Sequence, residues 1–122
     1  METVSTVATE SAVKVVYMCH PFGSDPTGHR EAIVKVCRAL VRHGALPLAP
    51  QLLLPQFLDE YTERDLAMRF CLRLVGVCDE VRVYGEPTVG MHLEIDEAHR
   101  LGIPVVAGDT EAEMAPPGDP PR

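Results

Sequence analysis

Apolar runs of two different periods alternate along the middle of the chain, and this alternation constrains the fold more than any other feature. The run "AVKVVYMC" (12–19) is rich in β-branched residues and long enough for a buried strand. "HREAIVKVCRALVRHG" (29–44) places five apolar residues at helical spacing and ends in basic residues followed by Gly. A turn-rich loop, "HPFGSDPTG", separates the two segments.

The same alternation continues to residue 108. The pattern predicts a short strand at 45–50 with prolines at its ends, an apolar loop "QLLLPQFLDEY" at 51–61, and a helix at 62–78 with Thr62 as candidate N-cap. A strand at 79–85, a helix at 88–102 and a strand at 103–108 are predicted to follow. Strands that alternate with helices are typical of a parallel sheet with right-handed crossovers. We therefore expect a small doubly wound, flavodoxin- or Rossmann-like α/β fold: a parallel sheet of four to five strands with flanking helices.

The chain of 122 residues has room for one domain. Residues 1–12 are polar and are predicted to be a disordered lead-in. Residues 111–122 are predicted to be a disordered tail, since four prolines fall in the last seven residues. The folded domain is expected at 13–110.

Composition excludes several classes of function. A net charge of −7 disfavours binding to a phosphate backbone, and 5% aromatic residues without Trp disfavour a stacking platform for nucleic acid. The N-terminal stretch lacks a signal-peptide pattern, and no apolar run approaches the ~18–20 residues of a membrane span. A cytoplasmic protein with no nucleic-acid or membrane partner is expected. Its four cysteines are interpreted as buried free thiols, although a zinc site using Cys19, His20 or His92 stays open.

Ligands of open α/β sheets bind beyond the carboxyl ends of the strands. Three predicted loops meet there: 19–30, 50–61 and 85–91. The first lacks the Lys-Ser/Thr of a phosphate loop, and no G-x-G-x-x-G follows the first strand. ATP hydrolysis and dinucleotide redox chemistry are therefore disfavoured, and no cofactor or metal is expected.

One carboxylate near that edge has an unusual position. In the predicted helix 88–102, Met91, Ile95 and Ala98 form the inward stripe, and Glu94 lies on its border. The positive end of the helix dipole is expected to favour the ionised form of Glu94. Its placement fits either an acid that leans over the sheet edge or a half-exposed surface carboxylate.

Two segments resemble a known enzyme family. "EPTVGMHLEIDEAHRLGIPV" resembles the helix motif of nucleoside 2-deoxyribosyltransferases and nucleoside 5′-monophosphate N-glycosidases, with Thr88, Gly90 and Glu94 at the motif positions. "VVYMCHPFG" resembles the family's first strand, whose Tyr approaches the nucleophilic Glu; here that residue is Tyr17. The likeness covers about residues 14–107 and extends to small, mostly uncharacterised members of the superfamily.

The resemblance implies hydrolysis or transfer at the N-glycosidic bond of a nucleoside 5′-monophosphate. Glu94 would be the catalytic nucleophile, and Tyr17 would orient it, although a core tyrosine fits as well. Thr88 stands where the transferases carry a carboxylate and the nucleotide hydrolases a Ser, which favours a phosphorylated substrate. The implied nucleotide-binding residues are His20, Pro21, Phe22, Gly23, Arg30, Gly85, Glu86, Thr88 and Gly90. Arg30 would contact the phosphate, or is simply a surface cation.

The chain departs from the family at one position. An Asp that contacts the base is expected eight residues before Asp79, where this chain has Cys71, and Asp65 lies nearly two turns away. Protonation of the leaving base would then come from His20, His92 or Glu86. Alternatively the protein is a catalytically inactive module that binds or senses a nucleotide or an ADP-ribose-like ligand, or a scaffold domain whose apolar loop recruits a partner.

The apolar loop "QLLLPQFLDEY" is the remaining open feature. Its run of Leu and Phe is more apolar than a free surface loop, which is typical of an interface. The resemblance implies a homodimer or higher homo-oligomer with sites near the subunit boundary. The other interpretation is a loop that folds back over the core.

Overall fold

The fold is an open parallel sheet with helices on both faces. The computed structural model describes residues 13–23 and 25–116. Within these residues the elements are β1 (Val15–Cys19), α1 (Pro26–Arg42), β2 (Leu46–Leu48), α2 (Pro50–Leu53), a 3₁₀ turn (Leu54–Gln56), α3 (Arg64–Val75), β3 (Glu80–Val83), α4 (Val89–Leu101), β4 (Val105–Ala107) and α5 (Thr110–Met114). The segments 1–12 and 117–122, both predicted to be disordered, lie outside the described residues.

The strand order is β2-β1-β3-β4, and every pairing is parallel. One cluster of buried side chains packs α3 and α4 against one face of the sheet, and a second cluster packs α1 and the end of α5 against the other. The prediction of a small doubly wound α/β fold is confirmed, with four strands. The winding direction reverses between the neighbours β1 and β3, which is where such folds bind ligands.

The first helix begins three residues earlier than predicted. The Asp25 side chain accepts a hydrogen bond from the Gly28 N–H, and Pro26 occupies the first helical position, where its missing N–H costs nothing. These residues had been included in the preceding loop. The loop is therefore shorter, and Arg30 lies one turn inside α1.

Three predictions for β2 and the crossover that follows it are wrong. Thr62 does not cap α3, which begins at Arg64, because the Asp59 carboxylate accepts the N–H groups of Tyr61 and Thr62 in a turn of its own. Residues 50–56 form a helical turn and a 3₁₀ turn rather than a loop. Pro47 lies inside β2 and not at its end, which is tolerated because β2 is an edge strand.

The predicted tail contains a helix. Residues 111–114 belong to α5, whose first turn is capped by the Asp109 side chain. Glu113 anchors this helix, because its carboxylate accepts hydrogen bonds from Arg82 (3.0 Å) and from the Tyr84 hydroxyl (2.8 Å). Gly108 lies so close to the Tyr84 ring that a Cβ there would overlap it. The high proline content predicted disorder for the whole tail, whereas long-range contacts stabilise the short helix at its start.

Candidate functional site

A cavity of about 380 Å³ opens beyond the carboxyl ends of the strands. Its wall comes from the segment after β1, from α2 and the turn that follows it, and from the first turns of α3 and α4. The three loops predicted to meet at this edge, 19–30, 50–61 and 85–91, all contribute residues. The volume falls in the range of small-molecule sites.

Glu94 lies in the wall of this cavity and is only 6% exposed. Thr88 caps α4 through its hydroxyl, so Glu94 comes one and a half turns into the helix. Helical spacing then puts Met91, Glu94 and Ala98 on the face buried against the sheet. Of the two placements open to Glu94, the structure has the buried one.

Tyr17 lies directly behind Glu94. It is fully buried in the middle of β1, and its hydroxyl donates a short hydrogen bond to Oε2 of Glu94. Burial, followed by the neighbouring charge of Glu94, raises the pKa of Tyr17 well above its ordinary value. The phenol therefore stays protonated and acts as a hydrogen-bond donor to the carboxylate.

Two thiols complete the surroundings of Glu94. The Cys19 Sγ lies 3.5 Å from Oε1 of Glu94 and 3.8 Å from the Met91 carbonyl. Cys71 lines the cavity, and its thiol affects the pKa values of both Glu94 and Tyr17. Burial, assisted by Glu94, raises the pKa of Cys71 to about 12 and that of Cys19 further. The donors around Glu94 are therefore neutral.

The expected effect of the helix dipole on Glu94 is overturned by burial. Loss of solvent raises the pKa of the Glu94 carboxyl above its ordinary value, and hydrogen bonds from Tyr17, Cys19 and Cys71 oppose that rise only in part. A carboxylate six positions into the helix also lies beyond the first turn, where the dipole acts most strongly.

The segment after β1 closes one side of the cavity. His20, Phe22 and Gly23 line it, as predicted. The Nδ1 of His20 lies 2.7 Å from the Pro21 carbonyl oxygen, and burial lowers the pKa of the imidazole. Nδ1 therefore carries the proton of a neutral ring and donates it to the carbonyl.

Thr88 and Gly90 line the opposite side, at the start of α4. The Thr88 oxygen accepts the Met91 N–H at 3.3 Å, which leaves its own O–H available as a donor. A Cβ at Gly90 would come within 3.1 Å of the Met68 side chain. The glycine keeps the first turn of α4 close to the wall formed by α3.

Several predicted residues are not in the cavity wall. Pro21 packs against Gly85, which has a positive φ of 70°, so these two residues shape the turn behind the cavity. Arg30 is exposed on α1, and Glu86 is exposed before α4; neither lines the cavity. The candidate acids His92 and Asp65 also lie outside it on exposed helix positions, and Asp65 borders a separate surface depression.

The wall contains residues that sequence reasoning missed. Arg64, at the first position of α3, is a cation in the cavity wall, whereas Arg30 is not. Gln51 lines the cavity and donates from Nε2 to the carbonyls of Met18 (2.9 Å) and His20 (3.2 Å), which fastens α2 to the end of β1. The sequence predicts the segment 50–61 at this edge of the sheet. It does not predict which of its side chains face the cavity, because an irregular loop has no periodic pattern.

The cysteines are unpaired, as predicted, but only Cys19 and Cys78 are buried; Cys37 and Cys71 are half-buried. Among the described residues, no three His, Cys, Asp or Glu side chains converge on a possible metal position. Cys19, His20 and His92 therefore do not form the zinc site left open by the sequence. None of the helices in the described part of the chain combines the length and apolar character needed to cross a bilayer.

A family model described as "Domain of unknown function (DUF7768)" matches residues 14–107. The chain belongs to this family. The match runs from the residue before β1 to the end of β4, so every strand of this DUF7768 domain, the cavity and Glu94 fall within it. No curated protein matches the chain.

Proposed function

We propose that this domain cleaves the N-glycosidic bond of a nucleoside 5′-monophosphate, by hydrolysis or by transfer, with Glu94 as nucleophile. The observation that carries the proposal is a buried carboxylate in a cavity wall whose hydrogen-bond donors are all neutral. Within the described residues no Lys or Arg forms an ion pair with Glu94. A buried acid in a cavity without a cation partner is typical of a functional site rather than of a structural ion pair.

The chemistry of the bond suits such an acid. Cleavage of a C1′–N bond passes through an oxocarbenium-like state, and a nearby carboxylate either stabilises the positive charge or forms an ester with C1′. Tyr17 holds Oε2 through its hydroxyl, which leaves Oε1 with only the weaker thiol contact at 3.5 Å. Oε1 is therefore the oxygen that we assign to attack.

The phosphate would lie at the start of α4. The Thr88 hydroxyl and the first N–H groups of this 13-residue helix are donors, and the helix dipole favours an anion there. Arg64 in the same cavity wall would add charge-assisted hydrogen bonds. His20 and Phe22 would contact the sugar or base from the opposite segment.

The decisive experiment is a panel of nucleoside 5′-monophosphates, ribose and deoxyribose, followed by chromatography for free base. We expect one or more to release base, and Glu94→Gln to abolish the release. Asp96→Asn is the matched control, because Asp96 is an exposed carboxylate two positions away on the same helix. Full activity in the Glu94 variant, at unchanged melting temperature, rules out the assignment.

The cation of the site is tested separately. Arg64→Ala should raise KM for the substrate about 10-fold or more, because a charge-assisted contact to phosphate is lost. Arg30→Ala is the control and should leave KM unchanged. If the two variants behave in the opposite way, the phosphate lies on the α1 side of the site.

The second candidate is a module that binds a nucleotide or an ADP-ribose-like ligand without cleaving it. Cys71 in the cavity wall and the raised pKa of Glu94 favour this candidate, because both weaken acid–base chemistry. Ligand-dependent thermal stabilisation without any release of base is the outcome that would select it.

We further propose a homodimer or larger homo-oligomer in the cytoplasm. Phe57 is 71% exposed and Tyr61 89% exposed beside the cavity, and covering such side chains is favourable. The four free thiols support a reducing compartment. Light scattering on the purified protein, compared with Phe57→Ser, tests the assembly: a monomer at micromolar concentration contradicts it.

A further inference from the structure

The proton donors nearest to Glu94 are already engaged with it. The Tyr17 hydroxyl donates to Oε2, and the Cys19 thiol donates to Oε1. Cys71 lies in the same cavity wall and affects the pKa values of both Tyr17 and Glu94. These protons stabilise a carboxylate and are not directed at a departing base.

Their surroundings also make these groups poor general acids. A general acid works best when its pKa lies near the working pH. Burial raises the pKa of Cys71 to about 12 and raises the pKa values of Tyr17 and Cys19 as well, and the charge of Glu94 adds to each rise. At neutral pH they retain their protons.

The other candidate acids do not serve either. His20 lines the cavity, but its pKa is lowered from 6.5 by burial, and its Nδ1 proton is donated to the Pro21 carbonyl. Glu86 and His92 are exposed and lie outside the wall. The wall formed by the described residues also contains Glu60 and Tyr61, but both are exposed, so it offers no buried acid beyond the groups already engaged around Glu94.

A site without a general acid can still cleave a substrate whose leaving group needs no proton. We propose that the substrate is a nucleoside 5′-monophosphate whose base carries a positive charge, such as a pyridinium or an N-alkylated purine. The inference rests on the N-glycosidase function proposed above. A cationic base also suits the two carboxylates of the wall, Glu60 and Glu94, while Arg64 is available to the phosphate.

The reaction balances without an acid. Oε1 of Glu94 forms a bond to C1′ as the C1′–N bond breaks, and the electron pair of that bond neutralises the ring nitrogen, so the base departs uncharged. Water then attacks C1′, the ester to Glu94 breaks, and one proton passes to solvent. The products are the sugar 5-phosphate, the neutral base and a proton.

A matched pair of substrates tests the inference. GMP and 7-methylguanosine 5′-monophosphate differ by one methyl group and one positive charge. Both are incubated with the full chain and with Glu94→Gln, and release of base is also measured without protein. Without a catalyst, the C1′–N bond to a cationic base breaks faster than the bond to a neutral base, and a general acid would reduce this difference in rate. Since no general acid is available here, kcat/KM should favour the methylated nucleotide by about 10²–10⁴-fold, the usual contribution of a general acid.

The outcomes separate the two proposals. Glu94-dependent cleavage of both nucleotides at similar rates would overturn the cationic-base inference and leave the N-glycosidase proposal standing. The absence of Glu94-dependent release from either nucleotide, and from nicotinamide mononucleotide, would overturn both.

A gain-of-function variant tests the same point from the protein side. Cys71→Asp places a carboxyl group beside Glu94, whose charge should raise the pKa of the new group and make it an acid. We expect GMP cleavage to rise about 10-fold or more, with no rise for the methylated nucleotide. Cys71→Ser, which adds no acid, is the control, and melting curves verify folding. A folded Asp variant with no gain on GMP contradicts the inference.

Discussion

The described part of the chain buries carboxylates in two places, and their surroundings differ. Glu113, 9% exposed, forms an ion pair with Arg82 at 3.0 Å, and Glu80, 7% exposed, forms ion pairs with Arg82 and Lys14. Glu94, 6% exposed, has a phenol and two thiols around it instead. A buried charge is normally neutralised by a cation, as at Glu80 and Glu113. In the first region cations within the fold neutralise the carboxylates, whereas Glu94 has no such partner among the described residues.

The largest expected effect separates the two regions by activity. Glu94→Gln should reduce release of base by about 10⁴-fold or more, as loss of a nucleophile does. Glu113→Gln should change the rate little, because the Gln amide oxygen can still accept the Tyr84 hydroxyl proton and Glu113 lies on the opposite face of the sheet from Glu94. The rates are measured on the substrate found in the nucleotide panel. A comparable loss in both variants would mean that Glu113 acts on the site through the fold.

The second effect is on stability. Arg82→Met leaves Glu80 and Glu113 without their shared partner and should cost about 1–2 kcal/mol, a value reduced for the partial exposure of Arg82. Arg100→Met removes a pair with Glu97 at the surface of α4 and should not change stability measurably. Urea unfolding measures both. Equal costs would show that the interior pairs behave like surface ones.

The smallest expected effect is on the pH dependence of stability, to which Glu94 and Glu80 contribute with opposite signs. The folded pKa of Glu94 lies above the ordinary value near 4.5, so this residue lowers stability as pH rises from about 4.5 through its raised pKa. For Glu80, burial favours a higher pKa, but hydrogen bonds from Arg82 and Lys14 outweigh it and lower the pKa. Its contribution is therefore full above about 4.5 and is lost as pH falls through the lowered pKa.

Melting temperatures between pH 3 and 8 check both signs. Relative to the unmodified chain, Glu94→Gln should gain stability as pH rises above about 4.5. Glu80→Gln should lose stability as pH rises through the lowered pKa of Glu80 to about 4.5, and the difference should stay constant above that pH. Curves with the same sign for the two variants would remove the electrostatic distinction between the regions.

The sequence predicted most of what depends on local pattern. Strand and helix periods and the inward stripe of α4 placed Glu94 on the border of that stripe, near the carboxyl edge of the sheet. These features depend on residues a few positions apart, so a single segment reveals them. For the same reason the fold class and the loops around the cavity were predictable.

The electrostatics of the site were not predictable in this way. The pKa of Glu94 depends on Tyr17, which is 77 positions away in the chain, and on the solvent that packing excludes. Arg64 was missed because the start of α3 is determined by Asp59, whose side chain forms a turn before the helix. α5 was missed because Glu113 and Arg82, which hold it, lie 31 positions apart.

The contact between Gly108 and Tyr84 has a practical consequence for handling the protein. The Tyr84 ring also packs against His20 at 5.9 Å between ring centroids, so the last helix is connected through one aromatic side chain to the cavity wall. A purification tag should be attached after residue 116. A shorter clone that stops at the family boundary, residue 107, would lack Glu113, the hydrogen-bond acceptor of the Tyr84 hydroxyl, and is unsuitable for ligand screening.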